Sequence, residues 1–237
     1  MRHFIGGAFA ALGLFAASLQ ADEQVRSPVV VELFTSQGCS SCPPADALLH
    51  DLAEHEDVIA LSLHVDYWDY IGWKDSFAKA AFTERQKSYA RSGQRPSIYT
   101  PQMIVGGRDA LVGHDAMKII MKIEEHRRAP KVAVIRVVSR NSDDSVVEVR
   151  LEPRVSNAPA GDVQLVRYTP KASVDIRRGE NAGHKLSYAN VVREWTNLGR
   201  WDGAEAELKV DVPGPEPAVL ILQAEGQRDV LAAARLK

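Results

Sequence analysis

Two near-continuous apolar runs flanking a helical period constrain this chain most. Val29-Val30-Val31-Glu32-Leu33-Phe34 is β-branched or aromatic almost throughout, and Val58 to Val65 repeats the pattern. Such runs read as strands buried on both faces. Between them Ala45, Leu48, Leu49 and Leu52 recur at helical spacing. A strand, a helix and a strand in so short a stretch form a βαβ unit with parallel strands. The chain is committed to an α/β sheet from its first strand.

The turn between that strand and the helix reads Cys39-Ser40-Ser41-Cys42-Pro43-Pro44, and these are the only two cysteines. Both prolines fit a helix that begins at Cys39 or Ser40, because first-turn N–H groups have no intrahelical partner to lose. A sulfur there sits near free helix N–H groups and the positive dipole end. Both favour the thiolate, the attacking species in disulfide exchange. A second thiol three residues on is placed to resolve a mixed disulfide. The spacing thus predicts Cys39 as nucleophile and Cys42 as resolving thiol. A static structural disulfide is the alternative, although so short a loop removes little chain entropy.

Asp66 to Asp75 is a loop rich in aromatics: Tyr67, Trp68, Tyr70 and Trp73. They read as a packed lid over the sheet edge or as a substrate box. Ser76 to Arg91 predicts a helix with Phe77, Ala80, Ala81 and Tyr89 inward. Ile98 to Val105 is a strand interrupted by Pro101, and Gly106-Gly107 turns it into Ala110-Leu111-Val112. Ala116 to Arg127 is a helix with Met117, Ile120, Met121 and Ile123 as apolar positions and Pro130 beyond its end. His114 and Asp115 read as its cap.

After Pro130 the period changes to two. Seven short strands are predicted: 132–138, 145–151, 163–168, 173–176, 206–212, 218–224 and 229–233. Gly, Pro and Asn turns separate them, as in a β-sandwich. Tyr188 to Trp195 is a further candidate strand, docking against the first unit. The boundaries are a signal peptide over 1–21, an α/β domain over 22–129 and a mostly β accessory module over 130–237. Trp195 and Trp201 are bulky enough to anchor the module to the domain.

Val30 to Phe34, Cys39-Ser40-Ser41-Cys42 and Tyr99-Thr100-Pro101 together resemble the thioredoxin superfamily. More narrowly, the chain resembles a secreted bacterial family with a thioredoxin-like fold and no assigned function. The segments 38–46, 64–69, 99–102, 192–195 and 198–203 carry that resemblance. It implies a thioredoxin-like α/β N-terminal domain and a cis peptide before Pro101. It also implies that Tyr99, Thr100 and Pro101 receive an extended substrate backbone beside the dithiol. By the same resemblance, Glu32 is the buried carboxylate that assists proton transfer at Cys42. The other reading of Glu32 is a solvent-facing residue at a strand edge. Two departures stand out: the loop after Glu32 is one residue longer, and Gly38 replaces the usual tryptophan.

His64, Asp66 and Asp69 lie at the end of a parallel strand, the edge where α/β sheets bind ligands. The Cys39 and Cys42 thiolates with the His64 imidazole would suit a soft metal such as copper, or zinc with a fourth ligand. The plainer reading is a loop-capping hydrogen-bond network, and no metal or cofactor is assigned.

Twenty-nine basic and 31 acidic residues nearly cancel, so nucleic acid is an unfavoured partner. Met1-Arg2-His3 followed by an uncharged apolar run from Phe4 to Leu19 reads as a signal peptide cleaved after Ala21, which leaves no stable membrane span. The expected location is periplasmic or secreted, where disulfides persist. The expected function is an exported thiol-disulfide oxidoreductase, with protein thiols or disulfides and a redox protein as partners. A soft-metal binding protein and a non-catalytic interaction protein are the alternatives.

Overall fold

The computed structural model describes residues 27–237. The signal peptide expected over 1–21 lies outside them. β1 (Val29–Thr35) and β2 (Val58–His64) pair in parallel from Val29↔Val58 to Thr35↔His64, with α1 (Pro43–Ala53) crossing between them. A single 3-10 turn (Asp69–Ile71) and α2 (Ala80–Ser92) follow. β3 (Gln102–Val105) then runs antiparallel to β1 on its other side. Gly106 and Gly107, at φ +61° and +75°, make the tight hairpin to β4 (Asp109–Val112), a left-handed pair that glycine adopts without a Cβ penalty. α3 (Ala116–Arg128) closes this half, and the Asp115 carboxylate caps it by accepting from Lys118 N at 3.4 Å.

The helices begin and turn differently from expectation. α1 starts at Pro43, not at the cysteines. α2 starts at Ala80, and it buries Phe82, Thr83, Gln86, Tyr89 and Ala90 while Ala80 and Ala81 face solvent. α3 buries Ile119 and Ile123 and leaves Met117, Ile120 and Met121 exposed, since only the 119/123 stripe meets the sheet.

The second half is β-rich: β5 (Ala133–Arg140), β6 (Val146–Pro153), β7 (Gly161–Asp175), β8 (Lys185–Trp201), β9 (Ala206–Asp211), β10 (Ala218–Ala224) and β11 (Val230–Arg235). The predicted strands 163–168 and 173–176 are one long β7. β8 lies parallel to β2 in register Ser62↔Val191, so one mixed sheet of eight strands runs β11-β10-β7-β8-β2-β1-β3-β4 through both halves. β5-β6-β9 form a second sheet. The two sheets enclose a core of Ile135, Val149, Leu151, Val163, Leu220 and Leu222, the sandwich the alternation predicted.

Both faces of the main sheet are covered in the first half. Val31, Leu33 and Ala60 pack with Ala45, Leu49 and Leu52 of α1 and Ile119 of α3. Val30, Phe34, Ile59, Leu61 and Leu63 pack with Phe82 and Tyr89 of α2. That second core continues into Val166, Val192, Val219 and Ile221, so α2 seals the junction between the halves. Trp195 contributes there, with the Arg85 guanidinium 3.6 Å above its ring. Trp201 does not: it is buried inside the β-sandwich core.

Candidate functional site

β1 ends at Thr35, and the chain passes through a tight loop to Cys42, which caps α1. Cys39 and Cys42 form a disulfide, with Cα atoms 5.4 Å apart. Cys39 N donates to Ser36 O at 3.1 Å, and Cys42 N donates to Cys39 O at 3.2 Å. Pro43 and Pro44 remove two donors from the first turn, and the N–H groups of Ala45 and Asp46 both bond Cys42 O at 2.9 and 3.1 Å. The free helix N–H groups expected beside the first sulfur are therefore absent from this turn. What lies beside Cys39 Sγ is the Ser41 hydroxyl, at 3.4 Å.

Neither sulfur is open. Cys39 is 1% exposed and Cys42 0%, while Ser40 and Ser41 are exposed. The loop is pinned from beneath by Asp75, whose Oδ2 accepts from Gln37 N at 2.8 Å and from His64 Nδ1 at 2.7 Å. Trp73 Nε1 donates to Gln37 Oε1 at 2.8 Å. Gly38 has no room for a side chain, since a Cβ there would lie 3.0 Å from Ile71 and 3.2 Å from Trp68.

The Thr100–Pro101 peptide bond is cis, as the motif predicted. Trp68 joins this segment to the dithiol loop: its Cβ adjoins Gly38 and its Nε1 donates to Thr100 Oγ1 at 2.7 Å. Pro101 and Ala45 both flank Gly113, where a Cβ would lie 2.9 and 3.1 Å from theirs, so Gly113 stands between the Pro101 segment and the first turn of α1. Tyr99 is partly exposed, and its carbonyl accepts from Gln86 Nε2 at 2.7 Å. Trp68 and Tyr70 stack at 6.5 Å between centroids, with Tyr70 81% exposed. The aromatic loop thus forms one flank of the site, part lid and part open surface.

Glu32 is buried, but not beneath Cys42. It shares the α2 face of β1 with Val30 and Phe34, whereas the α1 face holds Val31 and Leu33. Its carboxylate accepts from Arg85 Nε at 2.6 Å, Arg85 Nη2 at 2.9 Å and Tyr89 Oη at 2.5 Å. Strand alternation accounts for this correction, since neighbouring residues point to opposite faces. The buried acid on the dithiol side is Asp46, four residues after Cys42. Cys42 has helical backbone angles, so the i,i+4 relationship places the two side chains on one face of α1. Burial pushes the Asp46 carboxyl up to about 8; the Thr35 hydroxyl opposes the shift, and Asp75 adds to it. Ser62 Oγ, His64 Nε2 and Tyr188 Oη are also buried without hydrogen-bond partners among the described residues, and burial raises the Tyr188 phenol strongly. An acid in the first turn of a helix ordinarily reads as a dipole partner, so the sequence offered no signal for Asp46.

The three candidate ligands serve the loop. His64 bonds Asp75, Asp66 Oδ1 accepts from Thr83 Oγ1 at 2.5 Å, and Asp69 Oδ1 accepts from Asp75 N at 3.0 Å. Among the described residues no group of three or more His, Cys, Asp or Glu is arranged to hold a metal.

A contact from the second half completes the site. The loop between β7 and β8 reaches the dithiol, and buried Asn181 donates from Nδ2 to Gln37 O at 2.9 Å and to Cys39 O at 3.0 Å. In the sequence Gly179-Glu180-Asn181 reads only as one of the turns between strands.

Residues 30–223, which run from the second residue of β1 to the last but one of β10 and include the dithiol loop, match the family described as "Protein of unknown function (DUF1223)". The chain belongs to that family. A crystal structure of protein AGR_C_4864 from Agrobacterium tumefaciens is similar to it, with 34% sequence identity and a TM-score of 0.74, over 91% of this chain and 95% of that one. No curated protein matches the chain. Among the described residues no helix is long and apolar enough to cross a membrane.

Proposed function

We propose that this DUF1223 protein is a thiol-disulfide oxidoreductase on a thioredoxin-like scaffold, acting through Cys39 and Cys42. The observation that carries the reading is the Cys39–Cys42 bridge at the start of α1, with the cis Thr100–Pro101 segment joined to the dithiol loop through Trp68. The order βαβ, helix, hairpin, helix over β1 to α3 supports the scaffold.

In the forward direction a substrate thiolate attacks Cys39 Sγ. The Cys39–Cys42 bond breaks, and Cys42 leaves as a thiolate that takes up a proton. A second substrate thiolate then attacks the mixed disulfide at the substrate sulfur. This releases Cys39 as a thiolate, oxidises two thiols to a disulfide and reduces the protein by two electrons. The reverse sequence reduces a substrate disulfide, with Cys42 as the resolving thiol. The Ser41 hydroxyl stabilises the Cys39 thiolate. Tyr99, Thr100 and Pro101 offer the neighbouring backbone to an extended substrate, with Trp68 fixing that segment. Glu32 has no part in this scheme, since its carboxylate is bound to Arg85. Export to the periplasm or beyond, following the apolar N-terminal run, would supply the oxidising surroundings.

The test is trapping. Cys42→Ser should accumulate a mixed disulfide with reduced, unfolded ribonuclease through Cys39, after activation of that thiol as a mixed disulfide with glutathione. Cys39→Ser treated in the same way should accumulate much less. Equal trapping by both variants would refute the assigned roles.

A further inference from the structure

β7 and β8 form a long hairpin, and its tip, residues 176–184, lies over the dithiol loop from more than 130 residues away in sequence. Three contacts hold it there. Asn181 spends its side-chain N–H donors on the carbonyls of Gln37 and Cys39. The Glu180 carboxylate accepts from Ser40 N at 3.3 Å. Gly179, at φ +80°, packs against Trp73, where an added Cβ would lie 3.3 Å from the Trp73 Cβ.

The tip is a closed turn in its own right. Ile176 N donates to His184 O at 2.9 Å, Gly183 N to Ile176 O at 2.8 Å and His184 N to Asn181 O at 3.2 Å. These bonds stay inside the tip, so it can lift as one piece by releasing Asn181, Glu180 and the Gly179–Trp73 contact and exposing part of buried Ile176. Beside these contacts, Cys39 is 1% exposed although its neighbours Ser40 and Ser41 face solvent. Disulfide exchange needs an incoming sulfur in line with the bond it breaks, and a sulfur so little exposed admits that approach only after its cover is displaced.

We propose that Asn181 is a specificity-determining latch: it holds the β7–β8 tip over the disulfide, and a thiol reaches Cys39 only when this tip lifts. The proposal rests on the reading of Cys39–Cys42 as an exchanging pair and adds its substrate selection. A small thiol needs a slight opening. A protein thiol needs the whole tip displaced, because its backbone must lie along Ser40, Ser41 and the Tyr99–Pro101 segment. The cover therefore discriminates against bulky partners unless they bind the tip and hold it open.

Asn181→Ala removes the latch and introduces no clash. Reduction of the disulfide is followed with dithiothreitol and with reduced, unfolded ribonuclease, in the full mature protein. Val149→Ala, in the distant sandwich core, serves as a destabilised control. Asn181→Ala should raise the dithiothreitol rate about fivefold and the ribonuclease rate at least tenfold, with Val149→Ala within twofold of wild type on both. Rates for Asn181→Ala within twofold of wild type would overturn the latch, as would equal acceleration by Val149→Ala. Equilibration with glutathione separates the two claims. A wild-type disulfide that resists glutathione, while Asn181→Ala still speeds dithiothreitol, removes the exchange reading and leaves the cover standing.

Discussion

The Glu32 carboxylate is held by the Arg85 guanidinium through two bonds, 2.6 and 2.9 Å long, in the sealed core between β1 and α2. Arg85 also lies over Trp195 and donates to Gln223 Oε1 at 3.1 Å, so this one ion pair ties β1, α2, β8 and β10 together. It is a joint between the two halves of the molecule and has no contact with the dithiol.

Breaking the pair from one side leaves a buried charge uncompensated, which costs about 3–5 kcal/mol. Arg85→Met should lose roughly that much in urea denaturation, and Glu32→Gln combined with Arg85→Met should recover a large part of it. In the folded Glu32→Gln protein the rate of disulfide reduction by dithiothreitol should match wild type. A slowed exchange step in Glu32→Gln would return that residue to the redox site.

Asp46 sets a pH dependence. Its folded pKa of about 8 lies above the ordinary carboxyl value of 3.8. The folded state therefore holds a proton that the unfolded state has released, and stability falls as pH rises through this window. The contribution is fully present below about pH 4 and lost by about pH 8, on the order of 5 kcal/mol at most. Asp46→Asn cannot ionise, so its denaturation midpoint should change much less between pH 5 and pH 9. Parallel pH profiles for the two proteins would contradict a protonated Asp46.

The two halves should not be separable. β2 is an interior strand only because β8 pairs with it, and Ile59, Leu61 and Leu63 share their core with Val166, Val192, Val219 and Ile221. Arg235 further donates to the carbonyls of Glu56 at 2.6 Å and Val58 at 2.5 Å. A fragment of residues 27–129 would expose that core and an unpaired strand edge. It should bind a hydrophobic dye and show no cooperative unfolding transition. A sharp denaturation curve from the isolated fragment would restore the two-domain division at Pro130.

Much of this architecture could be read from the sequence. The parallel β1–α1–β2 unit followed from two apolar runs around a helical period. Gly106-Gly107 marked its hairpin, and the cis bond before Pro101 was implied by the resemblance to the thioredoxin superfamily. Alternation after Pro130 gave the sandwich. The site was less legible, for physical reasons. β1 is apolar on both faces, so its pattern does not reveal which face Glu32 takes. The helix start was misplaced because prolines in a first turn fit several registers. The two tryptophans had the same size and segment, yet only Trp195 meets the other half. Asn181 was hidden most completely: its role is a contact across 142 residues, made by a turn whose composition signals nothing beyond a turn.

The reduction potential of the Cys39–Cys42 pair, measured by equilibration of the mature protein with glutathione buffers, tests the proposed exchange chemistry most directly. An exchanging dithiol should lie well above the roughly −300 mV bound typical of inert structural bridges. A potential at or below that bound would make the bridge a static brace of the α1 turn and contradict the oxidoreductase reading.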